Sequence, residues 1–369
     1  MKGVRQVAIL LALGVTMPAF AETSSWTKRA PEAPPRSKGA TAGTTAKLRA
    51  TQPATRRTTQ SQAAKPGARP AAAKRPSLGR PTAAPSGDEA AYIAFEQGQY
   101  LTALKLAERD AKAGKAPAFT LLGKLYADGL GVPRNVDKAR QSYAAAAERG
   151  DAEGAFALGM MHATGAGAKK DPDKAAALFE AAARKGHAYG HYNLALAFLS
   201  GRGKPENPGR AALHLQYAAD RNIARAAYDL ATLYQTGHGV DADAYQAAFW
   251  LRTAADAGLT EAQYEYAVAL LQGKGINADK PDTLKYLKSA ALKGVPGAQN
   301  RLAHVYLEGR LIRANPVEAA KWRMIARGRG VKDTRLDAQI AGLTRKQRAQ
   351  AQERADAFLA QAALGATSP

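Results

Sequence analysis

Residues 118–150 read AFTLLGKLYADGLGVPRNVDKARQSYAAAAERG, and the same pattern returns in five further copies up to residue 330. A glycine, or once an asparagine, closes every copy, and successive closing residues lie 36 positions apart. These closing residues are Gly150, Gly186, Asn222, Gly258, Gly294 and Gly330. A fixed period of this length is typical of a repeat array, in which each unit buries its apolar face against the next.

The first half of each copy predicts a helix that ends at a pair of glycines. In the first copy Leu122, Leu125 and Tyr126 share one face at helical spacing, which predicts a helix over residues 117–128. The residue after the first of these leucines is glycine or alanine in every copy, which predicts close approach of two helix backbones. Glycine readily takes the left-handed conformation that ends a helix. The pairs are Gly129 and Gly131, Gly165 and Gly167, Gly201 and Gly203, Gly237 and Gly239, and Gly273 and Gly275, while the sixth copy has Gly309 and Leu311.

The second half of each copy predicts another helix, which begins at an asparagine or aspartate. Both residue types are preferred N-caps because their side-chain oxygen accepts a hydrogen bond from a free amide of the first turn. The predicted caps are Asn135, Asp171, Asn207, Asp243, Asp279 and Asn315. In the first copy Ala139, Tyr143 and Ala146 form the inner face of this helix, which ends at the closing glycine.

Together these patterns predict an all-α protein, an α-solenoid of stacked helical hairpins with 36-residue repeats and a disordered N-terminal segment. The solenoid spans residues 88–334, with a partial first unit at 88–114 and six units at 115–330. Residues 335–369 are predicted to form a C-terminal capping helix and a tail that frays from Ala363 onward. Thr344 and Gln347 have the spacing of a capping box at the start of that helix, and Ala355, Phe358 and Leu359 are expected to give it an apolar face.

The repeat resembles the Sel-one-like repeat, a bacterial relative of the tetratricopeptide repeat. The residues that carry the resemblance in the first copy are Leu122, Gly123, Tyr126, Gly129, Leu130, Gly131, Val132, Lys138, Ala139, Tyr143, Ala146, Ala147 and Gly150. The resemblance implies an adaptor or scaffold that binds other proteins, including envelope regulators that hold a membrane sensor or an assembly partner. Some cysteine-rich relatives are thought to act on wall fragments or β-lactams, but this chain has no cysteine.

The N-terminal residues 1–21 have the pattern of an export signal. Lys2 and Arg5 precede an apolar run over residues 7–15, and Ala19-Phe20-Ala21 fits a cleavage site. The apolar run is far shorter than the ~20 residues of a membrane-spanning helix. We therefore expect cleavage after Ala21 and a periplasmic location.

Residues 22–87 form a basic segment rich in proline and alanine, with nine prolines and a net charge of +11. Such a segment has little apolar surface to bury and is predicted to be disordered. It could bind an anionic membrane or cell-wall surface, or it could be a soluble spacer. Nucleic acid is not expected as a partner because export would separate the two.

Few residues suggest chemistry. The absence of cysteine excludes disulfides, thiolate metal sites and a thiol nucleophile. His187 and His191 lie four residues apart but lack the glutamate of an HExxH motif, so a structural role is favoured over a metal site. The Gly-x-Gly loops complete no phosphate-binding motif, and no serine lies in a GxSxG elbow. The sequence predicts a protein that is not an enzyme and has no cofactor or metal.

The strongest candidate for a functional surface is a stripe on the first helices, at positions that vary between copies while the apolar positions repeat. The candidate partner-binding residues are Asn193, Asp229, Glu265, Arg301, Thr232, Thr236 and Gln272. Such variation suits a surface that recognises one extended partner, although simple solvent exposure would also permit it. Tyr192, Tyr228 and Tyr264 recur once per unit, either as packing residues or as a ladder that grips a peptide.

The sequence thus predicts an exported periplasmic scaffold that mediates protein–protein interaction, possible roles being envelope regulation or assembly. The alternative is a protein that binds a cell-envelope polymer, peptidoglycan or another anionic surface, through residues 22–87.

Overall fold

The computed structural model describes residues 89–366 except Ala278, and this part of the chain is built from helices without strands. The predicted export signal, the whole of the basic segment and residues 367–369 lie outside the described residues. No helix among the described residues is long and apolar enough to cross a membrane.

Each of the six repeat units is a pair of helices. The first helices are α3 (Ala116–Asp128), α5 (Ala152–Thr164), α7 (Ala188–Ser200), α9 (Ala224–Thr236), α11 (Thr260–Gln272) and α13 (Pro296–Glu308). The second helices are α4 (Val136–Glu148), α6 (Pro172–Arg184), α8 (Pro208–Ala219), α10 (Ala244–Asp256), α12 (Lys280–Leu292) and α14 (Pro316–Gly328). Because each helix packs against its neighbours in chain order, the predicted α-solenoid of 36-residue hairpins is confirmed.

Two helices precede the six units and two follow them. The N-terminal pair is α1 (Ala90–Glu96) and α2 (Tyr100–Lys112), and the C-terminal pair is α15 (Thr334–Ala341) and α16 (Arg345–Ala366). The helix α15 was not predicted from the sequence. It lies close to α14, and α16 packs along α14 as well.

The six asparagine or aspartate caps are confirmed. Each side chain accepts a hydrogen bond from an amide in the first turn of its helix, as the Asn135 Oδ1 atom does from the Lys138 amide at 2.9 Å. At the other end of the second helices, Asn222 has φ 64° in the position where the other units have glycine. Asparagine tolerates this left-handed conformation better than most residues, so one closing glycine can be replaced without changing the turn.

The second glycine of each Gly-x-Gly pair has a packing role that the sequence did not reveal. A Cβ atom on Gly203 would collide with the backbone carbonyl of Pro172, at the start of the preceding unit's second helix. The equivalent contacts of Gly131, Gly239 and Gly275 are also with backbone atoms of the preceding second helix. These glycines therefore let neighbouring units approach closely, in addition to having the positive φ of a turn.

The small residue after Leu122 was expected to mark two helix backbones in contact, but a side chain fills the space instead. A Cβ atom on Gly123 would meet the ring of Tyr143, and one on Gly159 would meet the ring of Phe179. In the four later units this position is alanine, and the position of the aromatic ring is leucine or, in the last unit, Arg323. The larger residue on the first helix thus accompanies a smaller or more flexible residue on the second, which keeps interior packing dense.

The C-terminal helix differs in part from its prediction. The capping box is confirmed, since the Thr344 amide donates to Gln347 Oε1 at 3.0 Å and the Gln347 amide donates to Thr344 Oγ1 at 3.2 Å. Ala355 is buried and Phe358 packs edge-on against Trp322 of α14, but Leu359 remains 42% exposed and gives no apolar cover. The predicted tail from Ala363 differs in its first residues, because α16 continues to residue 366.

Candidate binding face

The predicted binding residues lie on the first-helix face, which we define as the exposed sides of α3, α5, α7, α9, α11 and α13. The stripe does not continue to the beginning of the array, because its first member, Leu121, is fully buried. From unit three onward the equivalent residues are half-buried or exposed: Asn193, Asp229, Glu265 and Arg301. Thr236 and Gln272, the last residues of α9 and α11 before the glycine loops, are exposed, and Thr232 is half-buried.

The tyrosines of this face connect consecutive units by hydrogen bonds to two of the predicted binding residues. The Tyr192 hydroxyl donates to Asp229 Oδ2 at 3.1 Å, and the Tyr228 hydroxyl donates to Glu265 Oε1 at 2.6 Å. Tyr264 packs against Gly297 of the next unit, where a Cβ atom would meet its ring. The tyrosines are therefore inter-unit contacts, as the first of the two interpretations of the sequence expected.

Asp229 is the predicted binding carboxylate that accepts hydrogen bonds from two side chains. Its side chain is 17% exposed, and it accepts from Arg225 Nε at 3.1 Å as well as from Tyr192. Burial raises the pKa of Asp229, an effect that Arg225 and Tyr192 oppose. Burial likewise raises the pKa of Tyr192, and the nearby Asp229 carboxylate adds to this effect. Asp229 is thus engaged within the protein.

Three other predicted residues hydrogen-bond to their own helices. Asn193 Nδ2 donates to the Tyr189 carbonyl at 2.9 Å, Thr232 Oγ1 to the Tyr228 carbonyl at 3.1 Å, and Thr236 Oγ1 to the Thr232 carbonyl at 2.8 Å. These bonds leave the hydroxyl lone pairs and the Asn193 side-chain oxygen as acceptors. Gln272 and Arg301 are exposed, and they and the second oxygen of Glu265 carry the polar groups most open to a partner.

The two helix layers differ in charge. The first helices contain three cations, Lys124, Arg225 and Arg301, and six carboxylates, Asp128, Glu153, Asp229, Glu261, Glu265 and Glu308, a net charge of −3. The second helices contain twelve cations (Lys138, Arg140, Lys174, Arg184, Arg210, Arg252, Lys280, Lys285, Lys288, Lys321, Arg323 and Arg327). They contain seven carboxylates (Asp137, Glu148, Asp173, Glu180, Asp256, Asp282 and Glu318), a net charge of +5. The first-helix face is therefore acidic in a chain whose net charge is +22.

The histidines have structural contacts. His187 caps α7 by accepting from the Gly190 amide at 2.9 Å, and its Nε2 atom lies 2.9 Å from Glu153 Oε2. His191 and His214 face each other, with their Nδ1 atoms 2.9 Å apart. Within the described residues, no three histidine, aspartate or glutamate side chains come together as a metal site would require.

His191 belongs to a row of inter-unit hydrogen bonds that sequence analysis missed. Its Nε2 atom lies 2.9 Å from the Ala183 carbonyl, eight residues earlier, near the end of the preceding second helix. Gln263 and Gln299, at the same repeat position, donate to the carbonyls eight residues before them, at 3.1 and 3.0 Å. The row could have been recognised because amide or imidazole side chains recur at this otherwise apolar position.

Comparisons with known proteins agree on the repeat. The Sel1 repeat family profile matches six consecutive segments, residues 118–151, 152–187, 188–223, 224–259, 260–295 and 296–322. The solved structure of a Sel1 repeat protein from Oxalobacter formigenes is 28% identical in sequence, with a TM-score of 0.56, over 67% of this chain and 99% of that one. The structure of c5321, a protective antigen present in uropathogenic Escherichia coli strains that displays an SLR fold, is 24% identical, with a TM-score of 0.49, over 74% of this chain and 68% of that one. A search of curated proteins gave no match.

Proposed function

This chain belongs to the Sel1 repeat family, and on that premise we propose that it is an exported scaffold that binds another protein through its first-helix face. Sel1 repeats form helical scaffolds suited to protein–protein interaction. The observation that supports this face is the contrast between its buried positions, which mostly repeat similar small or apolar residues, and its exposed positions, which change from unit to unit. A stack of similar units can recognise one partner only where the units differ.

The middle and C-terminal units are the best-supported part of the face. Glu265, Gln272 and Arg301 have polar groups directed at solvent or only partly used within the protein. In unit one the equivalent of Glu265 is the buried Leu121, which no partner could reach. We therefore place the contact on units three to six.

Export is supported by the sequence of residues 1–21 alone, with its basic start, apolar run and small-residue cleavage site. If the chain is cleaved after Ala21, its partner is a periplasmic protein or the periplasmic part of an envelope protein, such as a membrane sensor or an assembly component. The test is to express the full chain in a Gram-negative host and sequence the N-terminus of the periplasmic product. A product that keeps Met1 or stays in the cytoplasm would contradict export.

Site-specific photo-crosslinking tests the binding face. A photoreactive phenylalanine derivative replaces Gln272, which is exposed at the end of α11, or Gln216, which is exposed on the second helix α8. Both sites are exposed glutamines, one on a first helix and one on a second helix. A difference in crosslinking between them therefore shows which of the two faces contacts the partner. We expect a defined crosslinked product in the native envelope from position 272 alone. Equal crosslinking at both positions, or a product at position 216 only, would contradict this assignment.

The basic segment supports a second candidate function, binding of peptidoglycan or another anionic envelope surface. Its net charge of +11 over residues 22–87 would attract an anionic polymer. Deleting residues 22–87 distinguishes the two functions. If retention on purified cell wall is lost while the crosslink at position 272 persists, the segment binds the wall and the repeat binds the protein.

We propose no catalytic activity, since the hydroxyls that meet a carboxylate on the first-helix face, those of Tyr192 and Tyr228, serve as contacts between units. Hydrolysis assays of wall fragments and β-lactams with purified protein provide the test, and turnover above the protein-free rate would contradict a purely binding role.

A further inference from the structure

A cavity of about 380 Å³ lies at the junction between the first and second repeat units. It is lined by three alanines and three charged residues, namely Ala147, Ala155, Ala181, Asp151, Arg184 and Lys185. The alanines belong to α4, α5 and α6, so both units contribute to the wall. The volume of the cavity is within the ~300–1,000 Å³ of pockets that bind small molecules.

At the next junction along the array, side chains fill the equivalent space. His191 and Tyr217 of unit three occupy the repeat positions of Ala155 and Ala181. Their rings stack with centroids 3.7 Å apart, and the Tyr217 hydroxyl would lie 3.0 Å from a Cβ atom on Gly186. Unit two has alanine at both positions, so its junction leaves room for a ligand.

Two cations line the cavity with unused donors. Arg184 and Lys185 are exposed, and their side chains form no ion pair or hydrogen bond among the described residues. Lys185 extends across the junction, since a Cβ atom on Gly150 would lie 4.0 Å from its Nζ atom. The equivalent Lys293 donates to the Gly258 carbonyl at 3.0 Å, but the Lys185 side chain has no such bond.

Asp151 contributes the opposite charge to the same cavity. Its Oδ1 atom accepts from Thr120 Oγ1 and from the Gly154 amide, both at 2.6 Å. Its Oδ2 atom accepts no hydrogen bond within the described part of the chain. No ion pair joins Asp151 to Arg184 or Lys185, although all three line the cavity. The cavity therefore lies between a carboxylate and two cations.

The charged residues that surround the cavity without lining it are Glu148, Arg149, Glu153 and Glu180. The first two are adjacent in sequence and opposite in charge. Glu153 Oε2 lies 2.9 Å from His187 Nε2. Lys204 binds Glu180 at 2.6 Å and, with a smaller contribution from Arg184, lowers the pKa of Glu180. A molecule in the cavity thus meets the three charged lining residues directly.

From this arrangement we propose that the cavity binds a zwitterionic amino acid with a small side chain. Arg184 and Lys185 bind the carboxylate of the ligand, and Asp151 Oδ2 accepts from its ammonium group. The short side chain packs against the alanine wall. A simple anion would leave the Asp151 carboxylate opposed to it, and a simple cation would face two positive charges. The inference goes beyond the proposed function because it requires no protein partner.

The test is saturation-transfer NMR, in which L-alanine is titrated against the chain from Glu22 onward to give an affinity. Two smaller ligands separate the charges of alanine. Propionate lacks the ammonium group, and ethylammonium lacks the carboxylate.

A cavity-filling variant provides the decisive comparison. Ala181→Tyr introduces the tyrosine that unit three has at this position, and it changes no charge, including those of residues 22–87. The matched control is Thr253→Tyr, the same substitution at the same position of unit four. There Asp256 and Ala257 stand in place of the two cations. Circular dichroism checks that both variants are folded.

We expect Ala181→Tyr to abolish saturation transfer to L-alanine, while Thr253→Tyr changes the affinity less than about twofold. Arg184→Gln should weaken alanine binding about fivefold, as loss of a charge pair in water would. It should not affect folding, because Arg184 is exposed. Propionate and ethylammonium should each bind about fivefold more weakly than alanine for the same reason.

Equal alanine binding by Ala181→Tyr and the unsubstituted chain, or no saturable binding by either, would overturn the proposal. Propionate that binds as tightly as alanine would show that the cavity takes an anion alone, which also overturns it. If Ala181→Tyr does not fold, Arg184→Gln and the three ligands decide the question. None of these results affects the crosslink at position 272, so the proposed function is tested separately.

Discussion

Arg323 occupies the position that is tyrosine, phenylalanine or leucine in the other five units, and it is only 2% exposed. Its guanidinium donates to both carboxylate oxygens of Asp337 at 2.7 Å, to the Val331 carbonyl at 2.9 Å and to Asn300 at 3.1 Å. The hydrogen bonds and charge of Arg323 lower the pKa of Asp337. At a position that other units fill with tyrosine, phenylalanine or leucine, the last unit thus has an arginine that binds α15.

The first prediction concerns this ion pair. Removing only the carboxylate, in Asp337→Ala, leaves a buried guanidinium without its counter-ion and should lower the free energy of unfolding by about 3 kcal/mol. Arg323→Leu restores the residue that three other units use, and the freed Asp337 can be hydrated at the surface. We therefore expect Arg323→Leu to cost less than Asp337→Ala in urea denaturation. The reverse order would show that the pair contributes mainly through the packing of the arginine.

The second prediction concerns acid stability at His191. Burial, together with the nearby His214, lowers the pKa of His191 to about 4. The folded state therefore favours neutral imidazole, while the unfolded state takes up a proton near pH 6.5, so stability is lost as pH falls from about 6.5 to about 4. His191→Gln supplies the side chain that the array uses at positions 263 and 299. Its urea midpoint should fall less between pH 7 and pH 4.5 than that of the unsubstituted chain, and an identical fall would refute the assignment.

Each helical hairpin is determined by the residues at the ends of its two helices. The side-chain cap starts the second helix, and the positive-φ residues end both helices in every unit. The second glycine of the pair has an additional constraint, because it contacts the previous unit, in four of the five pairs at backbone atoms. Positive φ and close packing are thus separate demands on glycine in this protein.

The third prediction separates these demands with two alanine substitutions. Gly203 has φ 79° and no space for a Cβ atom, while Gly258 has φ 90° and no neighbouring atom within 4 Å. Gly258→Ala should cost about 1 kcal/mol, the cost of left-handed backbone. Gly203→Ala has the same backbone cost and must also move two units apart, so we expect a total of several kcal/mol. Equal melting temperatures for the two variants would show that the units shift without cost.

At the scale of the whole molecule, the apolar interior of the described residues forms two clusters. One lies in α1 to α3 and includes Leu121 and Leu125, and the other extends from α6 to α16. Between them, α4 fully buries only Ala139 and Ala146, and the ring of its partly buried Tyr143 fills the space beside Gly123. A hydrogen bond of 2.6 Å from Thr120 Oγ1 to Asp151 Oδ1 helps to join the two parts.

The fourth prediction follows from this division. Stability in a repeat array depends on contacts between neighbours, so a junction where the fully buried apolar cluster is interrupted permits local opening. Hydrogen exchange monitored by mass spectrometry should show α1 to α3 exchanging together and earlier than α9 to α12. A single exchange class across both groups would contradict a weak junction at α4.

The period, the helix ends and the family follow from the sequence alone, because these features depend on local conformational preferences. Glycine or asparagine indicates a position with positive φ, and aspartate or asparagine indicates an N-cap. Both kinds of residue lie at the helix ends that they determine. This is why the hairpins could be predicted almost to the residue, while α15, which has no counterpart in the repeat, could not.

Which surface residues keep unpaired polar groups depends on tertiary contacts and could not be predicted from the sequence. The residues that Tyr192, Tyr228 and Arg323 contact lie 37, 37 and 14 positions away, at distances that depend on how units stack rather than on local preference. Asp229 and Glu265 look equivalent in sequence, yet Arg225 and Tyr192 hold the first, while the second keeps an open oxygen. Stacking brings together residues from different units, and that contact determines which charges remain available to a partner.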